Sequence, residues 1–285
     1  MSAAGKRGEL LVVGTPIGNL EDLSPRARRV LSEADAILCE DTRVTAKLAA
    51  RFGIGTPRIS CPAPREKARV AELLERLGRG QTVALVTDAG MPLVSDPGAD
   101  LVAAAAEAGF PVRVVPGPSA VSAALAVSGL PAVPHLFAGF LPARSGERRR
   151  YLENLAGCAE TLVWFEAPHR LADSLADAAR VLGPRRACVA RELTKVHEEA
   201  ARGTLPELAE RFAARGAARG EATVVVEGRA ANAPGKAADA GDVDRRIAEA
   251  LAAGRDKREI ARALARETGL PSRRIYARAV ELDAR

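Results

Sequence analysis

The feature that most constrains the fold is a repeated order of short apolar runs, loops rich in glycine and proline, and amphipathic helical segments. The run Glu9–Val13 ends at Gly14, and Thr82–Val86 is almost entirely apolar, as expected of a strand that a sheet buries on both faces. Strands that alternate with helices favour a mostly parallel sheet with helices on both of its faces. The sequence therefore predicts an α/β fold.

Residues 1–130 show this alternation most clearly and are predicted to form one α/β domain. The predicted strands are Glu9–Val13, Ala36–Cys39, Arg58–Ser60, Thr82–Val86 and Val112–Val115. The predicted helices are one opened by Ser24 as N-cap and Pro25, then Thr42–Phe52, Glu66–Leu77, Pro97–Ala108 and Pro118–Val127.

Residues 131–228 are predicted to form a second α/β domain with a mixed sheet. Its predicted strands are Leu136–Leu141, Thr161–Phe165, Ala187–Ala190 and Ala222–Glu227, and its predicted helices are Ser145–Ala156, Pro168–Leu182 and Leu205–Ala214. Residues 229–241 lack apolar periodicity and are predicted to be a linker. Residues 242–285 are predicted to form a small helical domain with helix-turn-helix rhythm, from Val243–Ala253, Lys257–Glu267 and Pro271–Leu282.

The charge balance is compatible with a polyanionic partner but does not require one. Lys and Arg number 42 against 36 Asp and Glu, which gives a formal net charge of +6. Aromatic residues make up only 3% of the chain, which disfavours base stacking as the main mode of nucleic-acid binding. Two basic segments are candidates for contacts with an RNA backbone, or alternatively are solvated helix faces: Arg144–Arg150 and the C-terminal Arg258, Arg262, Arg273, Arg274 and Arg278.

The cysteines and histidines do not predict a metal site. None of the four cysteines has the spacing of a zinc ligand pair, and the chain has only three histidines. Free cysteines in apolar stretches are typical of a reducing compartment, so a cytoplasmic location is expected. The sequence shows no apolar leader and no run of 18 apolar residues, so neither secretion nor membrane insertion is expected.

Three loops that follow predicted strands are candidates for ligand binding, because open α/β sheets bind ligands beyond the carboxyl ends of their strands. They are Gly14–Leu20, Thr87–Gly98 and Val115–Ala120. Asp88 can pair with a cationic or hydroxyl-bearing group, and the free N–H groups near Ser119 can hold a carboxylate. Each loop taken alone also fits an ordinary strand-to-helix turn, and Asp96 is alternatively the cap of the next helix.

The order and spacing of these loops and of further motifs are far more specific than any one of them. The motifs are Gly14–Leu20, Glu40–Arg43, Asp88–Gly98, Pro116–Ala120, Ser128–Pro131, Gly139–Pro142, Glu166–Arg170, Arg191–Lys195 and Gly220-Glu221. Together they resemble the tetrapyrrole methylase family, and within it the branch that methylates a ribose 2′-hydroxyl of 16S ribosomal RNA. The resemblance extends from about Leu10 to Gly228 and more loosely through the C-terminal helices.

This resemblance implies S-adenosylmethionine bound in a cleft between two α/β domains, often in a homodimer. The implied substrate is cytidine 1402 of 16S rRNA in an assembled small ribosomal subunit, with no role for DNA or a membrane. The implied cofactor residues are Pro16, Asp88, Gly90, Pro92, Val94, Ser119 and Ala120 from the first domain, and Phe165 and Ala222 from the second. Residues implied on the catalytic face are Glu40, Asp41, Arg43, Arg191, Glu192, Thr194 and Lys195.

Methyl transfer from a sulfonium is an in-line displacement, so alignment of the ribose oxygen contributes most, up to roughly 7–11 kcal/mol. A base, or a positive neighbour that lowers the pKa of the hydroxyl, adds roughly 10²–10⁴-fold. Lys195, Glu192 and Asp41 are the candidates for this role, with Arg43 and Arg191 holding phosphates. The alternative is that these residues form a buried ion-pair network that joins the two domains.

Two departures from the family pattern affect what can be transferred. Relatives usually have Ser and Thr where this chain has Thr87 and Met91, next to backbone contacts that are expected to survive. Relatives also tend to carry histidine in the stretch Ser60–Glu66, so no histidine role is transferred there. Two other functions remain open: a tetrapyrrole C-methyltransferase with the same fold, and a DNA-binding regulator that reads DNA through its C-terminal helices.

Overall fold

The computed structural model describes residues 8–215, 220–229, 240–268 and 272–283. The chain divides after Arg229 into two compact units. Both predicted α/β domains lie in the first unit, and we call residues 9–130 its first half and residues 131–229 its second half. Most of the predicted linker 229–241 lies outside the described residues.

The first half contains a five-stranded parallel sheet, as predicted. Its strands are β1 (Glu9–Val13), β2 (Ala36–Cys39), β3 (Arg58–Ser60), β4 (Thr82–Val86) and β5 (Val112–Val115). They lie in the order β3-β2-β4-β1-β5, and each neighbouring pair is parallel. The two central strands pair with Leu10 opposite Val83, and their side chains are buried on both faces. All carboxyl ends therefore lie on one edge of the sheet.

Helices cover both faces of this sheet. They are α1 (Pro25–Glu33), α2 (Thr42–Phe52), α3 (Glu66–Gly78) and α4 (Ala99–Glu107). The first two pack on one face, around Leu31 and Leu48, and the next two pack on the other, around Leu73 and Leu101. The fifth helix of this half, α5 (Ala120–Ser128), packs instead against strands of the second half. The predicted cap of α1 is confirmed, because the Ser24 hydroxyl accepts a hydrogen bond from the N–H of Ala27 at 3.0 Å.

The start of α4 differs from the prediction. The helix begins at Ala99 rather than Pro97, and its N-cap is Gly98, so Asp96 is not a helix cap. Its first turn is held instead by Glu66 of α3, whose carboxylate accepts hydrogen bonds from the N–H groups of Asp100 at 2.7 Å and Leu101 at 3.3 Å. A carboxylate from another helix thus satisfies N–H groups that would otherwise be unpaired, which leaves Asp96 for another role.

The second half contains a mixed sheet, as predicted. Its strands are β6 (His135–Phe140), β7 (Thr161–Glu166), β8 (Arg186–Arg191), β9 (Glu199–Thr204) and β10 (Ala222–Val226), in the order β6-β7-β10-β8-β9. Only β6 and β7 are parallel to each other. Strand β9 was not predicted, because its sequence EAARGT is polar and does not alternate. It pairs along the edge of the sheet with β8, where one side is open.

Helix α5 packs against one face of this mixed sheet, and α6 (Ser145–Leu155), α7 (Leu171–Leu182) and α8 (Leu205–Arg215) pack against the other. The segment Arg144–Arg150 was predicted to contact RNA. This prediction is wrong for Arg148, because its side chain is only 3% exposed. Its guanidinium lies 2.6 Å from the carboxylate of Asp177 on α7. Arg148 is therefore half of a buried ion pair between two helices.

The second unit contains three helices, α9 (Ala240–Ala252), α10 (Lys257–Thr268) and α11 (Ser272–Asp283), as predicted. They enclose a core of their own that includes Ile247, Ile260 and Ile275. Arg278 is tied to Asp244 at 2.5 Å and to Glu281 at 2.6 Å, so it is less available to RNA than predicted. Within the described ranges of both units, no helix has the length and apolar character needed to cross a membrane.

Candidate active site

A cleft of about 620 Å³ lies between the carboxyl edge of the first sheet and the mixed sheet of the second half. It is lined from both halves, as the predicted site requires. The predicted residues that it brings together are Asp88, Gly90, Val94, Ser119, Ala120, Phe165, Ala222, Glu192, Lys195 and Glu40. A cleft of this volume is within the usual range of small-molecule sites, roughly 300–1,000 Å³.

Two predicted cofactor residues do not line this cleft. Pro92 is buried beneath the loop, and Pro16 lines a smaller neighbouring cavity of about 290 Å³. The residues that motif reasoning missed include Asp96, Glu221 and Phe140. Phe140 packs against Phe165 with ring centroids 5.5 Å apart, so the apolar wall has two aromatic rings rather than one. All three lie within the family motifs, in Asp88–Gly98, Gly139–Pro142 and Gly220-Glu221, and this was the available signal for them.

The loops after β1 and β4 are held together by backbone hydrogen bonds. The N–H of Thr15 donates to the carbonyl of Gly90 at 2.8 Å, and the N–H of Gly90 donates back to Thr15 at 3.2 Å. Gly90 has a φ of +80°, which favours glycine, and it lies on the cleft surface. These bonds fix the floor of the cleft before any ligand arrives.

The N-terminus of α5 is open to the cleft. Ser119 occupies the N-cap position, but its side chain makes no capping hydrogen bond to the helix. The first N–H groups of α5 and the Ser119 hydroxyl are therefore able to bind an anionic group. Ser119 and Ala120 both line the cleft, so such a group would be bound inside it.

Five carboxylates line the cleft. Glu192 pairs with Lys195, and the other four are Glu40, Asp88, Asp96 and Glu221. Burial, and secondarily repulsion from Glu40, raises the pKa of Asp96 to about 6, although a hydrogen bond with Thr87 opposes the rise. Burial and nearby carboxylates also raise the pKa of Glu40 and of Asp88. Mutual repulsion of this kind is relieved by a bound cation, so this side of the cleft is suited to a positively charged ligand.

The segment Arg191–Lys195 forms the opposite rim. The Lys195 ammonium lies 2.9 Å from the carboxylate of Glu192, and both line the cleft. Glu192 and Thr194 have φ of +48° and +66°, which non-glycine residues seldom adopt. The Thr194 hydroxyl accepts a hydrogen bond from the N–H of Asn19 at 3.0 Å, so this rim is attached to the first loop.

Four of the residues predicted on the catalytic face lie outside the cleft lining: Asp41, Arg43, Arg191 and Thr194. Arg43 is 87% exposed and pairs with Asp41 at 2.5 Å, and hydrogen bonds from Arg43 lower the pKa of Asp41 to about 2. Arg191 is mostly buried and pairs with Glu199 at 3.2 Å. Each of these two ion pairs joins residues of the same half: Asp41 with Arg43 in the first, and Arg191 with Glu199 in the second.

Comparison with protein families identifies the fold. The model of the Tetrapyrrole (Corrin/Porphyrin) Methylases matches residues 9–209. The chain belongs to the tetrapyrrole methylase family. Within the described residues of this family member, no group of three or more His, Cys, Asp or Glu side chains is arranged to hold a metal ion.

Curated relatives match this tetrapyrrole methylase over nearly its whole length. A protein of Synechocystis sp. named "Ribosomal RNA small subunit methyltransferase I" is 42% identical over 97% of this chain and 99% of its own. A protein of Xylella fastidiosa with the same name is 44% identical over 94% of this chain and 98% of its own. These alignments cover 97% and 94% of the chain, so they extend beyond the match to the family model, which ends at residue 209.

Solved structures support the fold at lower identity. The methyltransferase CobJ superposes with a TM-score of 0.61 and 22% identity, over 78% of this chain and 95% of CobJ. A uroporphyrin-III C-methyl transferase from Thermus thermophilus, solved in complex with S-adenosyl homocysteine, superposes with a TM-score of 0.53 and 26% identity, over 77% of this chain and 96% of its own.

Proposed function

We propose that this tetrapyrrole methylase transfers the methyl group of S-adenosylmethionine to the ribose 2′-hydroxyl of cytidine 1402 in 16S rRNA. The observation that carries the proposal is the near full-length match to relatives named as methyltransferases of small-subunit ribosomal RNA. The identities of 42% and 44% exceed the 22% to CobJ and the 26% to the uroporphyrin-III C-methyl transferase. The finer parts of the proposal are an assembled small subunit as substrate and a homodimeric enzyme.

The cleft fits S-adenosylmethionine in chemistry as well as in volume. The cofactor supplies a methyl group activated by a positively charged sulfur. Asp88, Asp96 and Glu40 supply the negative charge that suits this sulfonium, and Phe165 and Phe140 offer an apolar surface to an adenine ring. The open N-terminus of α5 at Ser119 is suited to the carboxylate of the methionine part.

Lys195 and Glu192 are the residues best placed to act on the acceptor hydroxyl. Glu192 holds the Lys195 ammonium at the rim of the cleft, where its positive charge favours ionisation of a hydroxyl brought beside it. Asp41 is a poorer candidate for the base, because its pairing with Arg43 lowers its pKa and it does not line the cleft. The remaining rate enhancement comes from alignment of the two reacting atoms.

The deciding experiment is methyl transfer to small ribosomal subunits that lack the modification. Labelled S-adenosylmethionine is incubated with subunits and with naked rRNA, and ribose methylation is mapped by primer extension at low nucleotide concentration. We expect a stop at cytidine 1402. If the rRNA remains unlabelled although the protein binds the cofactor, the assignment is overturned and a tetrapyrrole substrate is favoured. Footprinting on duplex DNA tests the alternative that the protein is a DNA-binding regulator.

The role of Lys195 is tested by Lys195→Ala, with Lys67→Ala on α3 as a control for loss of one lysine. We expect Lys195→Ala to bind cofactor and subunits normally and to lower turnover by roughly 10²–10⁴-fold. Lys67 is exposed and outside both cavities, so its variant is expected to keep full turnover. Full turnover of Lys195→Ala would remove Lys195 from the mechanism.

A further inference from the structure

The smaller cavity shares a wall with the cofactor cleft. Ile17, Asp88 and Ala89 line both cavities, so the two cavities are direct neighbours. The far side of the smaller cavity is formed by α2, through residues that include Val44 and Lys47. Its volume of about 290 Å³ is near the lower end of ligand pockets, roughly 300 Å³, which suits a single nucleoside.

Helix α2 carries its positive charge on one face. Arg43, Lys47 and Arg51 are spaced by four residues and are exposed, whereas Thr45 and Leu48 face the core. The helix contains no acidic residue. Its exposed face is therefore a positive stripe that begins at the rim of the smaller cavity.

Within this stripe, Arg43 forms an ion pair with Asp41, but the other basic side chains keep their charge without a carboxylate partner among the described residues. In the part of the chain that the structure describes, no carboxylate forms an ion pair with Lys47, Arg51 or the neighbouring Arg28 of α1. The guanidinium groups of Arg28 and Arg51 both lie over the ring of Phe52, at 6.0 and 5.8 Å from its centre. Lys47, Arg51 and Arg28 thus form one exposed patch, which we call the basic face.

Helix α3, on the opposite face of the same sheet, shows the contrasting arrangement. Its arginines pair with glutamates of the same helix: Arg69 with Glu72 at 2.6 Å, Arg76 with Glu72 at 3.2 Å, and Arg79 with Glu75 at 2.5 Å. Three arginines at α3 thus pair with neighbouring glutamates, whereas on α2 Arg43 alone is paired with a carboxylate among the described residues.

We propose that the smaller cavity and the basic face together bind the acceptor strand of the RNA. The cavity takes the nucleoside to be methylated, and Lys47, Arg51 and Arg28 hold the phosphates beside it. This inference rests on the proposed function, since it names where that substrate binds. Aliphatic side chains such as Leu20 and Val44 pack against the base, and the shared wall at Asp88 brings the ribose to the cofactor cleft.

The chemistry of RNA supports this arrangement. A nucleotide reaches an enclosed cavity only from a single-stranded or flipped state, which exposes its phosphates to contact on either side. Cations beside the cavity then give affinity that depends on salt, whereas the cavity itself selects the nucleotide. The described residues of the cavity wall include no aromatic side chain, so packing against the base is aliphatic.

The basic face is tested with the variant Lys47→Ala/Arg51→Ala against the matched control Lys67→Ala/Arg79→Ala on α3. Affinity for small subunits is measured over a range of KCl concentrations, and cofactor affinity is measured by calorimetry. We expect the α2 variant to lose at least roughly tenfold in subunit affinity near 150 mM salt, and to lower the log–log salt slope by roughly 1.4–1.8. Cofactor affinity and the α3 control are expected to remain unchanged.

The cavity is tested with Val44→Trp, which fills it from an exposed position, against Val114→Trp on the outer strand β5. We expect Val44→Trp to lose more than tenfold in kcat/KM with an unchanged circular dichroism spectrum and cofactor affinity. Unchanged subunit affinity and salt slope in the α2 variant, or full activity of Val44→Trp, would overturn this inference. Wild-type protein that binds subunits through α2 but transfers no methyl group would overturn only the proposed function.

Discussion

Helices α2 and α6 both carry several basic residues, but these residues differ in how far carboxylates pair with them. In α6, Arg148 pairs with Asp177 at 2.6 Å, Arg149 lies 3.7 Å from the same carboxylate, and the preceding Arg144 pairs with Glu147 at 3.2 Å. In α2, Lys47 and Arg51 have no such partner among the described residues. The sequences of the two helices alone do not show which one keeps its positive charge unpaired, because the carboxylates that pair with α6 include one from another helix.

The source of the difference is the element packed against each helix. Helix α6 packs on α7, which carries Asp177 at a position 29 residues further along the chain. Arg148 also donates to the carbonyl of Ala143 at 3.1 Å, and the hydroxyl of Ser145 donates to Asp177 at 3.0 Å. The pair is therefore buried with most of its hydrogen bonds formed, as a buried ion pair requires.

The largest effect is expected from removing one partner of this pair. Arg148→Ala leaves the Asp177 carboxylate buried with a weaker, more distant partner and is expected to lower the free energy of unfolding by about 3–5 kcal/mol. The exposed Lys47→Ala is expected to change it by less than about 0.5 kcal/mol. Urea denaturation of both variants measures this. An equal effect of the two would mean that α6 does not use its arginine for stability.

The next effect concerns Asp96, for which no ion pair is found within the described part of the chain. Asp177 faces Arg148, whereas Asp96 faces Glu40 and Glu221, and its pKa is raised to about 6. As pH falls below about 6, Asp96 gains a proton and its attraction for a sulfonium is lost. We expect cofactor affinity to fall between pH 7.5 and 5, and Asp96→Asn to weaken binding at pH 7.5 roughly fivefold, the equivalent of about 1 kcal/mol.

Protein stability should respond to Asp96 in the opposite sense. A pKa raised on folding means that the native state binds this proton more tightly than the unfolded state, so the group's contribution to stability decreases as pH rises from about 4 to about 6. Asp96→Asn is therefore expected to be more stable than the parent at pH 7.5 in the absence of cofactor. If Asp96→Asn keeps the parental dependence of cofactor affinity on pH, then a carboxylate other than Asp96 causes that dependence.

The sequence predicted the parallel sheet well because its central strands are buried on both faces and read as continuous apolar runs. It missed β9, whose pairing depends on β8 and not on its own pattern. It left open, as one alternative, that Asp96 caps α4, whereas Glu66 of α3 accepts hydrogen bonds from the first N–H groups of that helix. The motifs located most of the cleft residues, because those residues lie in loops with a recognisable sequence. The burial of Arg148 could not be predicted in this way, because it depends on which helix packs against α6.

The smallest effect is expected from the exposed arginines of α6. In Arg144→Ala/Arg150→Ala, one removed arginine already pairs with Glu147, so at most one unpaired charge is lost. We expect subunit affinity to change by less than about threefold and the salt slope to change by less than about 1, well below the change in Lys47→Ala/Arg51→Ala. The two double variants are compared in one salt titration, because each removes two positive charges. If the α6 variant equals or exceeds the α2 variant, internal pairing does not decide which basic helix binds RNA, and the acceptor strand crosses the second half of the molecule instead.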